Sequence, residues 1–192
     1  MPEGVSGLLS RWVKSRRHRR VLAHLKPGMT VLDVGCGLGE ICERLPENVK
    51  LIGLDREPAF TAQCIQRYPR HIFIEGDFFD LLPRLPEGLD AVLLAAVLEH
   101  ASRPEAFFPA VHGLLKPGGL LLVTTPSPCG GPWHVWGVRL GLLSAWAERD
   151  HQALLGSGRI RAMGEGAGFR LRREERFLFG LNQFFVFSKE KR

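Results

Sequence analysis

The sequence has no C-x-x-C pair, and its four cysteines (Cys36, Cys42, Cys64 and Cys129) show no zinc-ligand spacing. Zinc ribbons and disulfide frameworks are therefore excluded, and reduced thiols are expected. No apolar run is long enough to cross a bilayer. Gly7-Leu8-Leu9 is too short for a signal peptide, and basic residues follow it rather than precede it, so a cytoplasmic location is expected. No Gly-Lys-Ser/Thr follows a glycine-rich turn, which excludes a P-loop. No internal repeat, low-complexity run or His/carboxylate cluster of metal-ligand spacing is present, and no metal is predicted.

What is present reads as one globular unit. A chain of 192 residues with 45% hydrophobic and 24% charged residues can bury its own core. A single domain is expected over 1–192. Its parts are a basic helix in 1–27, a ligand-binding core in 28–125, a substrate lid in 126–158, and a helix with a hairpin in 159–192. The net charge of +6 is uneven. Arg11, Lys14, Arg16, Arg17, Arg19 and Arg20 crowd the start, and Arg170, Arg172, Arg173 and Arg176 crowd the end. A solvated helix face is the plain reading, with His18 and His24 solvated on it; a surface for nucleic acid or anionic lipid is the sharper one.

Strand and helix patterns alternate from Val31 onward. Apolar runs at Val31–Val34, Lys50–Asp55, His71–Glu75, Leu89–Ala95 and Leu120–Thr125 read as strands. Between them lie helical patterns at Ile41–Leu45, Pro58–Arg67 and Pro104–Leu115. A last helix, Arg159–Ala167, precedes strands near Phe169–Phe177 and Leu181–Phe187. Alternation of this kind implies a parallel sheet with helices on both faces, and the final two strands should pair as an antiparallel edge hairpin.

The stretch Val34-Gly35-Cys36-Gly37-Leu38-Gly39-Glu40 joins the first strand to its helix. Glycines at alternate positions permit a sharp turn and a close ligand approach. A dinucleotide site needs G-x-G-x-x-G; here the spacing is G-x-G-x-G, with Glu40 at the helix start and Asp33 two residues before the first glycine. Both acids disfavour pyrophosphate. S-adenosylmethionine fits instead, with an ammonium, a sulfonium, a ribose diol and no phosphate. Asp55, about 20 residues past the first glycine, has the place of a ribose acceptor. Asp77 can accept from an adenine amino group, with Phe78 flanking the ring. Asp55 also fits a turn acid ahead of Pro58, and Asp77 a Gly-Asp turn.

With these segments in order, the chain resembles the class I S-adenosylmethionine-dependent methyltransferases, of the small type that includes the quinone-biosynthesis C-methyltransferases. The resemblance rests on Val31–Gly39, Leu51–Asp55, Gly76–Phe78, Asp90–His100 and Leu114–Thr125. It implies a Rossmann-like α/β fold whose seven-stranded, mostly parallel sheet has strand seven antiparallel between strands five and six. It also implies that Gly35, Gly37, Leu94 and Ala95 lie along the methionine moiety. The predicted cofactor set is Asp33, Gly35, Cys36, Gly37, Gly39, Asp55, Arg56, Asp77, Phe78, Leu94 and Ala95, with S-adenosylhomocysteine as product.

Methyl transfer from a sulfonium needs alignment, and needs a base only when the acceptor must lose a proton. His100, His134 and His151 are the candidate bases. Apolar Leu94-Ala95-Ala96 argues against a metal-dependent catechol-type enzyme, and no Asn/Asp-Pro-Pro-aromatic motif points to nucleobase amino groups. The expected activity is methylation of O or C in a small or lipid-linked acceptor. RNA methylation through the basic helix, and a non-catalytic binding module, are the alternatives; nucleic acid is not the expected partner. The N-terminal helix also suits peripheral membrane contact, and a monomer or homodimer is expected. Phe177, Phe179, Phe184, Phe185 and Phe187 read as core, with one face of each strand buried.

Overall fold

The computed structural model describes residues 8–128 and 154–190. Helix α1 (Leu8–Leu22) precedes β1 (Thr30–Val34), β2 (Lys50–Asp55), α2 (Pro58–Arg67), β3 (Ile72–Glu75), the single turn α3 (Phe78–Leu81) and β4 (Leu89–Ala95). Then come α4 (Phe107–Leu114), β5 (Leu115–Pro126), α5 (Ser157–Gly166), β6 (Phe169–Phe177) and β7 (Asn182–Lys189). The sheet runs β3-β2-β1-β4-β5-β7-β6. Its first five strands are parallel, and β7 is antiparallel to both β5 and β6. This is the predicted order, with β6 at the edge and β7 inside.

The two-residue period of the strands sorts side chains onto two cores. Leu32, Val34, Leu94, Val123, Phe185 and Phe187 join one, under α4 and α5. Val31, Leu51, Leu93, Leu122 and Phe184 join the other, with Val21 and Leu25 from α1 and the turn after it. The phenylalanines of β7 thus fill both faces rather than one, because an interior strand is covered on both sides. Gly164 of α5 lies so close to β7 that a Cβ there would come within 2.3 Å of Phe187.

Two predicted elements differ in kind. Glu40–Arg44 is a short 3-10 helix, not an α-helix. The Lys116-Pro117-Gly118-Gly119 stop lies inside β5, where the pairing with β4 shifts register. Most of the predicted lid, including Trp133, His134, Trp136, Trp146 and His151, falls outside the described residues. Its two anchors are described: Gln183 donates from Nε2 to Pro126 O at 3.2 Å and to Leu155 O at 2.8 Å.

The edge strand β6 reads Phe-Arg-Leu-Arg-Arg-Glu-Glu-Arg-Phe, and its charges blunt pairing with another chain. Its hairpin closes with Leu181 N–H donating to Leu178 O at 3.0 Å. Phe179 and Gly180 between them have φ of 56° and 82°, and Leu178 has φ of 54°. Glycine or asparagine is the usual occupant of such a turn; each bulky residue there costs about 1–2 kcal/mol. Phe179 is 99% exposed, so the expected core role does not hold for it. Among the described residues, no helix is long and apolar enough to cross a membrane.

Candidate functional site

The site gathers at the carboxyl ends of β1, β2 and β4. Past Val34, Gly35 and Cys36 both donate their N–H to Leu54 O, at 2.8 and 2.9 Å, so the chain leaves β1 tied to β2. Gly35 and Gly37 have φ of 71° and 54°, the left-handed region that disfavours a Cβ. A Cβ on Gly35 would also meet Val97 at 3.1 Å, whereas one on Gly37 would meet nothing within 4 Å. Gly37 therefore faces open space, as a backbone approached by a ligand requires. Its N–H donates to Asp55 Oδ2 at 2.7 Å, and Asp55 Oδ1 accepts from Glu57 N at 3.0 Å. Asp55 acts as a turn acid here, and the spare lone pairs of its half-buried carboxylate are available for hydroxyls.

A cavity of about 120 Å³ opens beside Gly37. Asp33, Gly35, Cys36, Gly37, Ala95 and Ala96 line it from the sheet, and Lys14, Arg17, His18 and Glu40 complete it. The strand period explains the set. Asp33 follows Val31 on the face toward α1, and Ala95 follows Leu93 there. Leu94 alternates to the opposite face, is fully buried in the other core and is not among the residues lining the cavity.

Asp33 is 5% exposed. Burial, reinforced by the negative charge of Asp55, pushes its carboxyl up to about 7. A raised folded pKa means that this group costs the fold stability as pH climbs from the ordinary aspartate range to about 7. Hydrogen bonding is not among the influences on it. His18 behaves oppositely: burial holds its pKa at about 4, so the imidazole is neutral at pH 7. Stability linked to His18 is present above the ordinary histidine pKa and is lost as pH falls toward about 4.

The N-terminal helix is a wall of the site, which the solvated reading of its basic residues did not anticipate. Arg17 is half-buried and donates from Nε and Nη2 to Asn182 Oδ1 at 3.0 and 2.8 Å. Lys14 pairs with Glu40 at 2.8 Å. That pairing offsets the acid counted against phosphate, and a five-residue 3-10 helix offers little dipole. His24 is not free in solvent either; its ring lies 5.6 Å from that of Phe184. The helical spacing of Lys14, Arg17, His18 and Val21 was the available signal, since it places them on the stripe that Val21 buries.

Other predicted residues separate. Asp77 caps α3, accepting from Phe79 N at 2.8 Å, and stays half-buried near the end of β2, where Gly76 N donates to Asp55 O at 2.9 Å. Phe78 is 4% exposed and stacks on Phe107 in the core, so it is not a free flank for a ring; Phe79 is the exposed neighbour. Arg56 is exposed and is not among the residues lining the cavity, and Gly39 backs against Cys64 and Tyr68. His100 ends a short turn after β4 and is absent from the cavity lining. Its neighbour Glu99, unremarked in the sequence, is 1% exposed, accepts from Thr125 Oγ1 at 3.0 Å, and is held by the charge of Arg17 against a strong upward push from burial. No group of three potential metal ligands exists among the described residues.

Comparison with known proteins is consistent with this geometry. A family described as "Methyltransferase domain" matches residues 32–123. The chain is 35% identical over 116 residues to a probable S-adenosylmethionine-dependent methyltransferase of Mycolicibacterium smegmatis, a match covering 58% of this chain and 45% of that protein. It is 35% identical over 106 residues to the human mitochondrial ubiquinone biosynthesis O-methyltransferase, covering 51% of this chain and 29% of the relative. The chain thus spans less than half the length of these curated relatives. The crystal structure of a SAM-dependent methyltransferase from Archaeoglobus fulgidus superposes with a TM-score of 0.72 at 18% identity, covering 94% of this chain and 95% of the other.

Proposed function

We propose that this chain, whose residues 32–123 match a methyltransferase-domain family, is a class I S-adenosylmethionine-dependent methyltransferase that transfers a methyl group to O or C of a small or lipid-linked acceptor. The observation that carries the reading is Asp33: a buried acid beside an open glycine turn, in a cavity that Lys14 and Arg17 also line. A cavity of about 120 Å³ lies below the roughly 300–1,000 Å³ of sites that enclose a drug-sized ligand. Its mixed charge suits one zwitterionic end of a ligand. Asp33 meets the ammonium of the methionine moiety, and Lys14 and Arg17 face its carboxylate. Asp55 receives the ribose hydroxyls and Asp77 the adenine amino group. The donor supplies a methyl group already activated on a cationic sulfur.

The chain's own task is then to position and to exclude water. Ala95 and Ala96 leave an apolar floor at the end of β4. Where the acceptor must lose a proton, His100 and, outside the described residues, His134 and His151 are the proposed bases. His18 lines the cavity, but with a pKa of about 4 it is too weakly basic for that task, and we assign it to orienting. The acceptor's cover is assigned to the segment 126–158 expected from the sequence, most of which lies outside the described residues.

Titration calorimetry with S-adenosylhomocysteine tests the reading. About one equivalent should bind, and Asp55→Ala should abolish the heat. Absence of binding, or unchanged binding by Asp55→Ala, would overturn it.

A further inference from the structure

We infer that the outer face of α1 and the tip of the β6–β7 hairpin together form a docking surface for an anionic lipid bilayer. The inference goes beyond the methyl-transfer reading and does not rest on it.

Helix α1 carries no acid between Leu8 and Leu22, and it divides its cations between two faces. Lys14 and Arg17 turn inward, to Glu40 and Asn182. Trp12, Arg16 and Arg19 share the opposite stripe, at helical spacings of four and three. Trp12 is 42% exposed, with the Arg16 guanidinium 5.1 Å from the centre of its ring.

This stripe rises beside the hairpin. Arg20, one turn below Arg16, lies 3.9 Å over the Phe177 ring and pairs with Glu175. Phe177 is the last residue of β6, and Asn182, the partner of Arg17, is the first of β7. Helix and hairpin therefore leave the sheet together at its carboxyl end, the end that holds the candidate site. The helix presents Trp12 there, and the hairpin presents Phe179.

Phe179 is the unexplained member. It occupies a turn position with positive φ, contributes nothing to the core, and is 99% exposed. A bulky apolar residue held in that backbone region without a folding role points to a function outside the fold. Arg11 and Arg19 on α1 and Arg176, next to the last residue of β6, are exposed and add positive charge to the same elements, while exposed Arg173 pairs with Glu175 at 2.7 Å. Aromatic rings that enter the headgroup layer, ringed by cations that meet anionic lipid, are the chemistry of an interfacial anchor. A lone ring on a hairpin tip, with no aromatic platform beside it on the strands, favours lipid over a single-stranded nucleic acid. The site would then open toward the membrane, where a lipid-linked acceptor resides.

Co-sedimentation of the full chain with vesicles tests this without cofactor or turnover, so its failure is distinct from failure of the methyl-transfer reading. Vesicles of phosphatidylcholine with one third phosphatidylglycerol should retain the protein, and pure phosphatidylcholine should not. Arg19→Ala should weaken retention about fivefold, as expected for one cation at an anionic surface. Phe179→Gly should weaken retention while raising the melting temperature, because glycine relieves the turn. Equal retention of wild type and Phe179→Gly, or none on anionic vesicles, would overturn the inference. So would tighter capture by single-stranded RNA that shows the same variant losses, which would assign the surface to nucleic acid.

Discussion

The ends of β1 and β4 each bury an acid, and the fold provides for the two differently. Glu99, after β4, accepts a hydrogen bond from Thr125 and lies in the field of the half-buried Arg17. Asp33, on β1, has the negative charge of Asp55 as the main influence on it after burial. Burial raises both carboxyls, yet only Glu99 has a cation that counters the rise. A buried acid with its partners supplied by the fold is part of the structure. One without them suits the cationic group of a ligand, and the proposed function gives Asp33 that role beside the open backbone of Gly37. Arg17 ties the two regions together: it reaches Asn182 on β7 and lines the cavity that holds Asp33.

The contrast is broken most forcefully at Glu99. Glu99→Gln keeps the shape and a bond to Thr125 but leaves the half-buried Arg17 guanidinium without its counter-charge. Loss of about 3 kcal/mol of stability is expected, since guanidinium does not deprotonate to escape. Chemical denaturation measures it, and a loss below about 1 kcal/mol would show that Glu99 is not a structural acid.

Asp33→Asn should move stability the other way. At pH 8 the substitution removes a buried charge whose pKa stands at about 7 rather than 3.8, and the ligand-free protein should gain about 2 kcal/mol. Affinity for S-adenosylhomocysteine should fall about 10- to 100-fold, the worth of a charged hydrogen bond. Binding to the wild type at pH 7 should release about half a proton, because the ammonium requires Asp33 ionised. Calorimetry in buffers of different ionisation enthalpy reads that proton, and Asp33→Asn should release none. A gain in stability with unchanged affinity would separate Asp33 from the ligand.

The same contrast divides what could be read from the sequence. The glycine turn, Asp33, Asp55 and the strand order were legible because backbone needs fix them: alternate glycines, an acid at a strand end, apolar runs of period two. Glu99, Arg17, Lys14 and His18 were not, because their roles depend on α1 lying across the site, a long-range fact. A run of arginines has the same appearance in sequence whether it is solvated or turned inward. Leu94 and Phe78 turn into the core for a smaller reason: each neighbours a residue that faces outward, and one residue along a strand or turn reverses the face. Phe179 sits in an ordinary apolar run and only its backbone angle reveals it.

Gly37→Ala probes the open side of the turn. A Cβ meets no atom of the protein there, so only the positive φ of 54° opposes it, at a cost of about 1 kcal/mol. Cofactor affinity should fall at least as much as stability, because the methyl group occupies the approach path. Loss of stability alone, with affinity intact, would place the ligand elsewhere.

The smallest expected effect is at Lys14, and its smallness is informative. The Lys14–Glu40 pair is 2.8 Å long, but its side chains are 45% and 36% exposed. Solvent screening of such a pair leaves about 0–1 kcal/mol, so Lys14→Ala should barely shift the denaturation midpoint. It should nonetheless weaken binding of S-adenosylhomocysteine more than binding of adenosine, which lacks the carboxylate that Lys14 faces. Lys14→Arg, which retains the charge, should recover most of the difference. Equal weakening for both ligands would mean that Lys14 acts by holding α1 in place. The wall of the site built by α1 would then be a support, with recognition left to Asp33 and Arg17.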